Sequence, residues 1–223
     1  MNYLFVVGHP DDEVLGAGAT IHKLAEQGHR VAVAVMANHA AARSNRSDSL
    51  SDDEERAMEI LGVGKVYRGD FPNIKMNTVP HLELVQFIEG CIEDWKAEAI
   101  YTHHPLDTNI DHQETSRAAA AACRLFQRKE GVPPLRELAY MEVLSSTDWN
   151  LNSGGNRFTP NYFVEVGIPG VERKIEALAA YKGVMRPYPH PRSKEALMGL
   201  AAYRGAQAGC EYAEAFENVF CKD

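Results

Sequence analysis

The chain has no CxxC pair, no apolar run of membrane length and no surplus of positive charge, and each absence removes a class of protein. Its four cysteines, Cys91, Cys123, Cys210 and Cys221, stand far apart. A cysteine zinc cluster or a disulfide framework is therefore not expected, and reduced, buried thiols are. Nothing approaches the roughly 20 apolar residues of a bilayer span, so no stable membrane insertion is expected. Lysine and arginine number 23 against 31 aspartates and glutamates, a net charge of −8. A nucleic-acid surface needs a basic stripe, so nucleic acid is not an expected partner, although a few local arginines can still hold a small anion. The start, MNYLFVV, has no basic leader or cleavage site, and a cytoplasmic location is expected. No repeat, low-complexity linker or shift in composition divides the 223 residues, so one domain over 1–223 is expected.

A completed glycine fingerprint is also missing. Gly16-Ala17-Gly18-Ala19-Thr20 begins like one, but Gly-x-Gly-x-x-Gly is not finished. The acidic residues just before it would repel a pyrophosphate. The small residues read instead as letting a helix pack closely on a sheet.

What is present is an alternation of strand-like and helix-like patterns, the signature of an α/β fold. The expected form is a Rossmann-like three-layer sandwich with a mainly parallel sheet and its site at the carboxyl ends of the strands. Tyr3–Val7 and Arg30–Met36 are near-continuous apolar runs, as strands covered on both faces are. Helical spacing covers Val14–Gln27, Pro80–Trp95, His112–Gln127, Pro169–Tyr181 and Lys194–Gln207. A further helix starts at Ser51, which forms a capping box with Glu54, and stops at Gly62. Shorter strands fit Lys65–Arg68, Glu98–Thr102, Glu137–Val143 and Tyr162–Val166, and the tail Glu211–Phe220 offers another. Residues 38–48, 145–161 and 183–193 read as loops.

The polar residues concentrate where strands end. After Val7 come Gly8, His9, Pro10, Asp11, Asp12 and Glu13 without a break. The fourth strand ends in His103, His104 and Pro105, and a loop to Asp111 leads into a helix at His112. Ligands of open α/β sheets bind beyond the carboxyl ends of strands. That rule brings His9, Asp11 and Asp12 near His103, His104, Asp107, Asp111 and His112. A catalytic zinc takes three protein ligands from His, Asp or Glu and leaves one position for water. His9 at the strand end and Asp12 in the first helical turn, three residues apart, can face one point. A ligand from 103–112 completes the set, and His112 is well placed at a helix start. Asp11, pointing elsewhere in the turn, is then free to act on water. Aspartates that only cap a helix gain about 0.3–1 kcal/mol from its dipole and need no histidine beside them.

His9-Pro10-Asp11-Asp12-Glu13 after a hydrophobic strand resembles the signature of the PIG-L-like (LmbE-like) zinc-dependent N-deacetylases, which remove acetyl groups from N-acetylglucosamine-type sugars. YTHHPLDTNIDH, from Tyr101 to His112, resembles that family's downstream block, and His190 to Phe216 its C-terminal segment. The likeness therefore covers nearly the whole chain. It implies a metal-dependent hydrolase with His9, Asp12 and His112 as zinc ligands and Asp11 as general base. It implies further that Asp111 orients a neighbouring side chain, that the substrate is an N-acetylated sugar or glycoconjugate, and that the protein assembles as a homo-oligomer. Iron(II) is a second candidate metal, because a His₂Asp set with open positions serves both. One departure bears on mechanism. Many members carry an oxyanion-stabilising histidine three residues before the last ligand, and here Asn109 stands there. An asparagine amide donates a hydrogen bond but cannot become a cation. His103, His104 and His190 are candidates for the missing donor.

Arg43 and Arg46 can hold a phosphate, nucleotide or carboxylate on the substrate, and Tyr188, His190 and Arg192 can shape the sugar pocket. Trp149 can stack on a sugar ring, and Glu13 reads as a helix-entry or supporting residue. Two other readings use the same residues. A metal-dependent phosphoesterase ordinarily wants more ligands and two metals. A catalytically silent sugar-binding relative has no need of Asp11.

Overall fold

Period-two alternation in the apolar strands decides the architecture, because successive side chains leave opposite faces of a sheet. The computed structural model describes residues 1–37, 47–151, 154 and 157–223. In chain order its elements are β1 (Asn2–Val7), α1 (Asp12–Glu26), β2 (Arg30–Ala37), α2 (Ser47–Leu61), β3 (Lys65–Phe71), α3 (His81–Trp95) and β4 (Ala99–His103). There follow α4 (Ile110–Ala122), β5 (Glu137–Met141), β6 (Tyr162–Glu165), α5 (Gly167–Ala180), α6 (Lys194–Ala208) and β7 (Ala213–Cys221). Tyr3, Phe5, Val7, Val31, Val33 and Val35 share one core with Leu15 and Ile21 of α1, Leu61 of α2, Leu178 of α5 and Leu197 of α6. Leu4, Val6, Ala32, Ala34 and Met36 share the other with Leu84, Ile88 and Ile92 of α3 and Ala118 and Ala119 of α4. Helices thus cover both faces of one sheet, the expected α/β sandwich.

The strands run in the order β3-β2-β1-β4-β5-β7-β6. β1 pairs in parallel with β2 and with β4, and β4 in parallel with β5. The chain leaves β1 toward β2 and β3, then crosses back to β4 on the other side. That reversal puts the switch point at the carboxyl ends of β1 and β4, where α/β sheets bind ligands. The tail does return to the sheet: β7 inserts antiparallel between β5 and β6.

Several boundaries move from their expected places. α2 begins at Ser47, four residues before Ser51, since the segment offers more than one Ser/Asp start; the side chains of residues 47–51 lie outside those described. β3 runs through Gly69-Asp70-Phe71, which reads as loop. Gly69 permits this, for a Cβ there would lie 2.4 Å from the Met36 carbonyl oxygen of the neighbouring strand. α4 starts at Ile110, capped by Asn109, which puts both Asp111 and His112 in its first turn.

The small-residue run in α1 has a physical reason. Ala17 leaves helical geometry (φ −150°), and a Cβ on Gly16 would stand 2.5 Å from Met141 Sδ. Past the kink, the Ala19 and Thr20 amides donate to the Glu214 carboxylate at 3.2 and 2.7 Å, and Lys174 Nζ lies 2.6 Å from the same group. The kinked helix is thereby recapped by β7 and lies close against the sheet.

Candidate metal centre and active site

Three ligand atoms from two strand ends converge. His9 Nδ1 lies 3.2 Å from Asp12 Oδ2, His112 Nε2 lies 3.0 Å from the same oxygen, and the two nitrogens stand 3.3 Å apart. Metal–ligand bonds of about 2.0–2.1 Å in tetrahedral geometry require ligand atoms roughly 3.3 Å apart. His9, Asp12 and His112 therefore form a group that could hold a metal ion, and the triangle has the size of one face of its coordination shell.

The second nitrogen of each ring explains why these faces are offered. His9 Nε2 lies 2.9 Å from Asp111 Oδ2, and His112 Nδ1 lies 3.2 Å from Asp107 Oδ1. A carboxylate can only accept, so each ring donates there and turns its other nitrogen inward, the carboxylate–histidine pairing of metal sites. The carboxylates are held in turn. The Ile74 and Met76 amides donate to Asp111 at 2.5 and 2.9 Å, and Ile74 is a β-branched residue in the left-handed region (φ 59°). Asp107 receives the Asn109 amide at 2.8 Å, the Thr147 hydroxyl at 2.7 Å and the Ser146 hydroxyl.

The electrostatics follow from burial and charge together. Burial works against charge on His9 and His112, but hydrogen bonds to Asp111 and Asp12 hold His9 up at about 9. Asp12, with Asp107, raises His112 to about 10. Burial likewise opposes ionised Asp12, yet His112 and His9 keep it well below the usual carboxylate range. A cluster that attracts protons this strongly binds positive charge, and a divalent cation competes for the same lone pairs. Asp11 differs. Burial pushes it up to about 7, against the opposing pull of Arg192, whose Nη1 lies 3.2 Å from Asp11 Oδ2.

His103, the last residue of β4, stacks on His112 with ring centroids 3.8 Å apart and planes at 10°. Its Nε2 accepts the Gly8 amide at 2.8 Å, and burial pushes it down to about 3. This neutral ring fixes the plane of the His112 imidazole.

The remaining expected site residues are dispersed. Asn109 spends its Oδ1 on the Asp111 amide at 2.9 Å, leaving its NH₂ as a donor. His104 is not brought to the cluster. Next to inward-facing His103, it turns the other way, with Nε2 3.4 Å from Glu217 Oε2 and its ring edge-on to Tyr140 and Phe158. His190 is exposed, and its Nδ1 accepts the Arg192 amide at 3.0 Å. Tyr188 is exposed. Arg43 and Arg46 lie outside the described residues. Glu13 faces away from the triangle, buried under the Tyr181 hydroxyl, which donates to it at 2.7 Å. Sequence reasoning placed Asp107 near the site but gave it no role, and it gave none to Ser146 or Thr147. Its only signal for the latter pair was a polar loop after a strand.

No helix among the described residues is long and apolar enough to cross a membrane. Residues 4–123 match the PIG-L family, described as GlcNAc-PI de-N-acetylase. The chain is 30% identical over 132 residues to the uncharacterized deacetylase YaiS of Escherichia coli K12, covering 54% of this chain and 67% of that one. It is 24% identical to the diacetylchitobiose deacetylase of Thermococcus kodakarensis, covering 97% and 82%. Among solved structures, GalB, the 4-carboxy-2-hydroxymuconate hydratase of Pseudomonas putida KT2440, superposes with a TM-score of 0.78 at 19% identity, covering 100% of this chain and 97% of that one. Likeness at that identity shows the fold alone, and the fold therefore serves more than one reaction. The match of 4–123 contains both strand ends that build the His-Asp-His group, and the chain belongs to the PIG-L family of de-N-acetylases.

Proposed function

We propose that this protein, a single domain over 1–223, is a zinc-dependent hydrolase that removes the acetyl group from an N-acetylated amino sugar. The observation that carries the reading is the triangle of His9 Nδ1, Asp12 Oδ2 and His112 Nε2, next to Asp11, whose carboxyl feels the charges of Asp12, His9 and His112. Two nitrogens and one oxygen suit zinc, and iron(II) is the alternative. When bound, the metal supplies a Lewis acid for the acetyl carbonyl and acidifies the attacking water.

The chain's own residues supply the rest. Asp11 takes the proton from the attacking water and returns it to the amine nitrogen, which cannot leave as an anion. Burial raises its carboxyl above the ordinary range, which strengthens it as a base. Asp111 and Asp107 keep His9 and His112 in the tautomers that face inward. The Asn109 NH₂, whose Oδ1 partner is already spent, donates to the developing oxyanion in place of a histidine. Arg43, Arg46, Tyr188 and His190 are assigned to the substrate side.

Acetate release from a panel of N-acetylated sugars, including N-acetylglucosamine and N,N'-diacetylchitobiose, tests the reading when run beside elemental analysis. One metal per chain with acetate released from at least one sugar is the expected result. Two metals per chain with phosphate released from sugar phosphates would make the protein a phosphoesterase instead. Hydration of 4-carboxy-2-hydroxymuconate without acetate release would align it with the hydratase on this fold.

A further inference from the structure

Arg192 lies in a segment folded tightly on itself. The Arg186 amide donates to Arg192 O at 3.3 Å, the His190 amide to Pro187 O at 3.1 Å and the Ser193 amide to His190 O at 2.9 Å. The His190 ring accepts the Arg192 amide, and buried Ser193 caps α6 through the Ala196 amide at 3.1 Å. The chain is thus anchored immediately before and after Arg192. Its side chain is 23% exposed. From there Nη1 donates to Asp11 Oδ2 at 3.2 Å and Nε to Ser145 Oγ at 3.3 Å. Both acceptor residues have left-handed backbones, φ 93° at Asp11 and φ 71° at Ser145. Non-glycine residues stay in that region only where their surroundings hold them there.

We propose that Arg192 is a positioning residue for the deacetylation: it pins Oδ2 of Asp11 and so presents Oδ1 to the attacking water. The proposal rests on the reading of Asp11 as general base. A carboxylate on a turn is free to rotate about its last two bonds, and proton transfer needs one oxygen aimed at one point. The planar guanidinium suits the task because two of its donors are spent at fixed directions, one on Asp11 and one on the loop after β5. A lysine ammonium could reach one of these acceptors without setting the angle to the other. His190 then has a defined part as well: its ring braces the backbone that carries Arg192.

The test compares wild type, Arg192→Ala, Arg192→Lys, Asp11→Asn and the Asp11→Asn/Arg192→Ala double variant, all metal-loaded, on whichever N-acetylated sugar the wild type cleaves. Arg192→Ala is expected to lose about 100-fold in kcat while KM moves less than about threefold and metal content stays the same. Added guanidinium ion should restore part of the loss, which a folding defect would not allow, and Arg192→Lys should stay well below wild type. In the Asp11→Asn background, Arg192→Ala should cost nothing further. A crystal structure of metal-loaded Arg192→Ala, a readout that needs no turnover, should show the Asp11 carboxylate turned from its present position. A fully additive double variant, a rise in KM at unchanged kcat, or an unmoved Asp11 would each overturn the positioning role while leaving Asp11 as the base. Near-wild-type activity of Asp11→Asn would instead remove the base itself, and this proposal with it.

Discussion

The turn after β1 delivers His9, Asp11 and Asp12 and the loop after β4 delivers Asp107, Asp111 and His112, yet the two are held in different ways. His9 is fixed from outside its own turn by Asp111, and Asp11 is met by Arg192 from far along the chain. The β4 loop is braced partly from within and partly by the loop after β5. His112 leans on Asp107 of the same loop, which gathers the Asn109 amide and the Ser146 and Thr147 hydroxyls. Asp111, one residue before His112, clamps the 74–76 segment as well as His9. The short turn carries the group assigned to the reaction, and the long loop carries the scaffold that aims it. This division explains how six consecutive residues can look like a complete site while depending on carboxylates about a hundred positions away.

Substitutions can break the comparison or sharpen it. The largest effect belongs to Asp12, the oxygen both imidazoles share. Asp12→Ala should abolish metal binding and acetate release together, read by elemental analysis and turnover. Asp11→Asn should separate the two, keeping the metal and losing about 10²–10⁴ in kcat. Equal loss of metal in both variants would end the distinction between holding and reacting groups within the turn. In the β4 loop, Asp107→Asn should weaken metal affinity by about 10–100-fold, with activity recovering in excess metal. A loss of kcat that excess metal does not repair would place chemistry in the scaffold. Asn109→Ala should cost about 1 kcal/mol of stability through the lost helix cap, seen by denaturant unfolding, and lower kcat as well if the NH₂ meets the oxyanion.

The smallest effect concerns Glu13, which belongs to the reactive turn and does none of its work. Burial raises its carboxyl well above the ordinary range, and only one of its oxygens has a partner. A raised carboxyl favours the folded state while protonated, and that contribution is lost as pH rises through the folded value. Glu13→Gln should therefore raise Tm at alkaline pH, where ionised Glu13 is costly, by about 1 kcal/mol of stability. The difference should vanish below the unfolded carboxyl value, and metal content should not change.

Much of the fold was legible in the chain because apolar alternation writes both sheet faces at once. Val31, Val33 and Val35 could only lie on one side, and Ala32, Ala34 and Met36 on the other. The rule that ligands bind beyond the carboxyl ends of strands was enough to bring His9 and Asp12 to the 103–112 loop. Four features were not legible. β3 continues through Gly69 because a carbonyl of its neighbour needs the space, a cross-strand fact. β7 enters between β5 and β6, and pairing partners are not written in a tail's own pattern. Choosing between His103 and His104 required the direction of one strand end: His103 faces the site and His104 faces Glu217. The brace at Asp107 depends on Ser146 and Thr147, whose contribution comes from folding and not from spacing.

That the same fold also serves a hydratase puts the weight on the site. The most direct measurement is acetate release from metal-stripped protein as zinc is added back in sub-stoichiometric steps. No release without metal, a linear rise and a plateau at one zinc per chain are expected, with Asp12→Ala silent throughout. Full activity in the presence of a chelator, or a plateau only at two metals per chain, would contradict the one-metal reading.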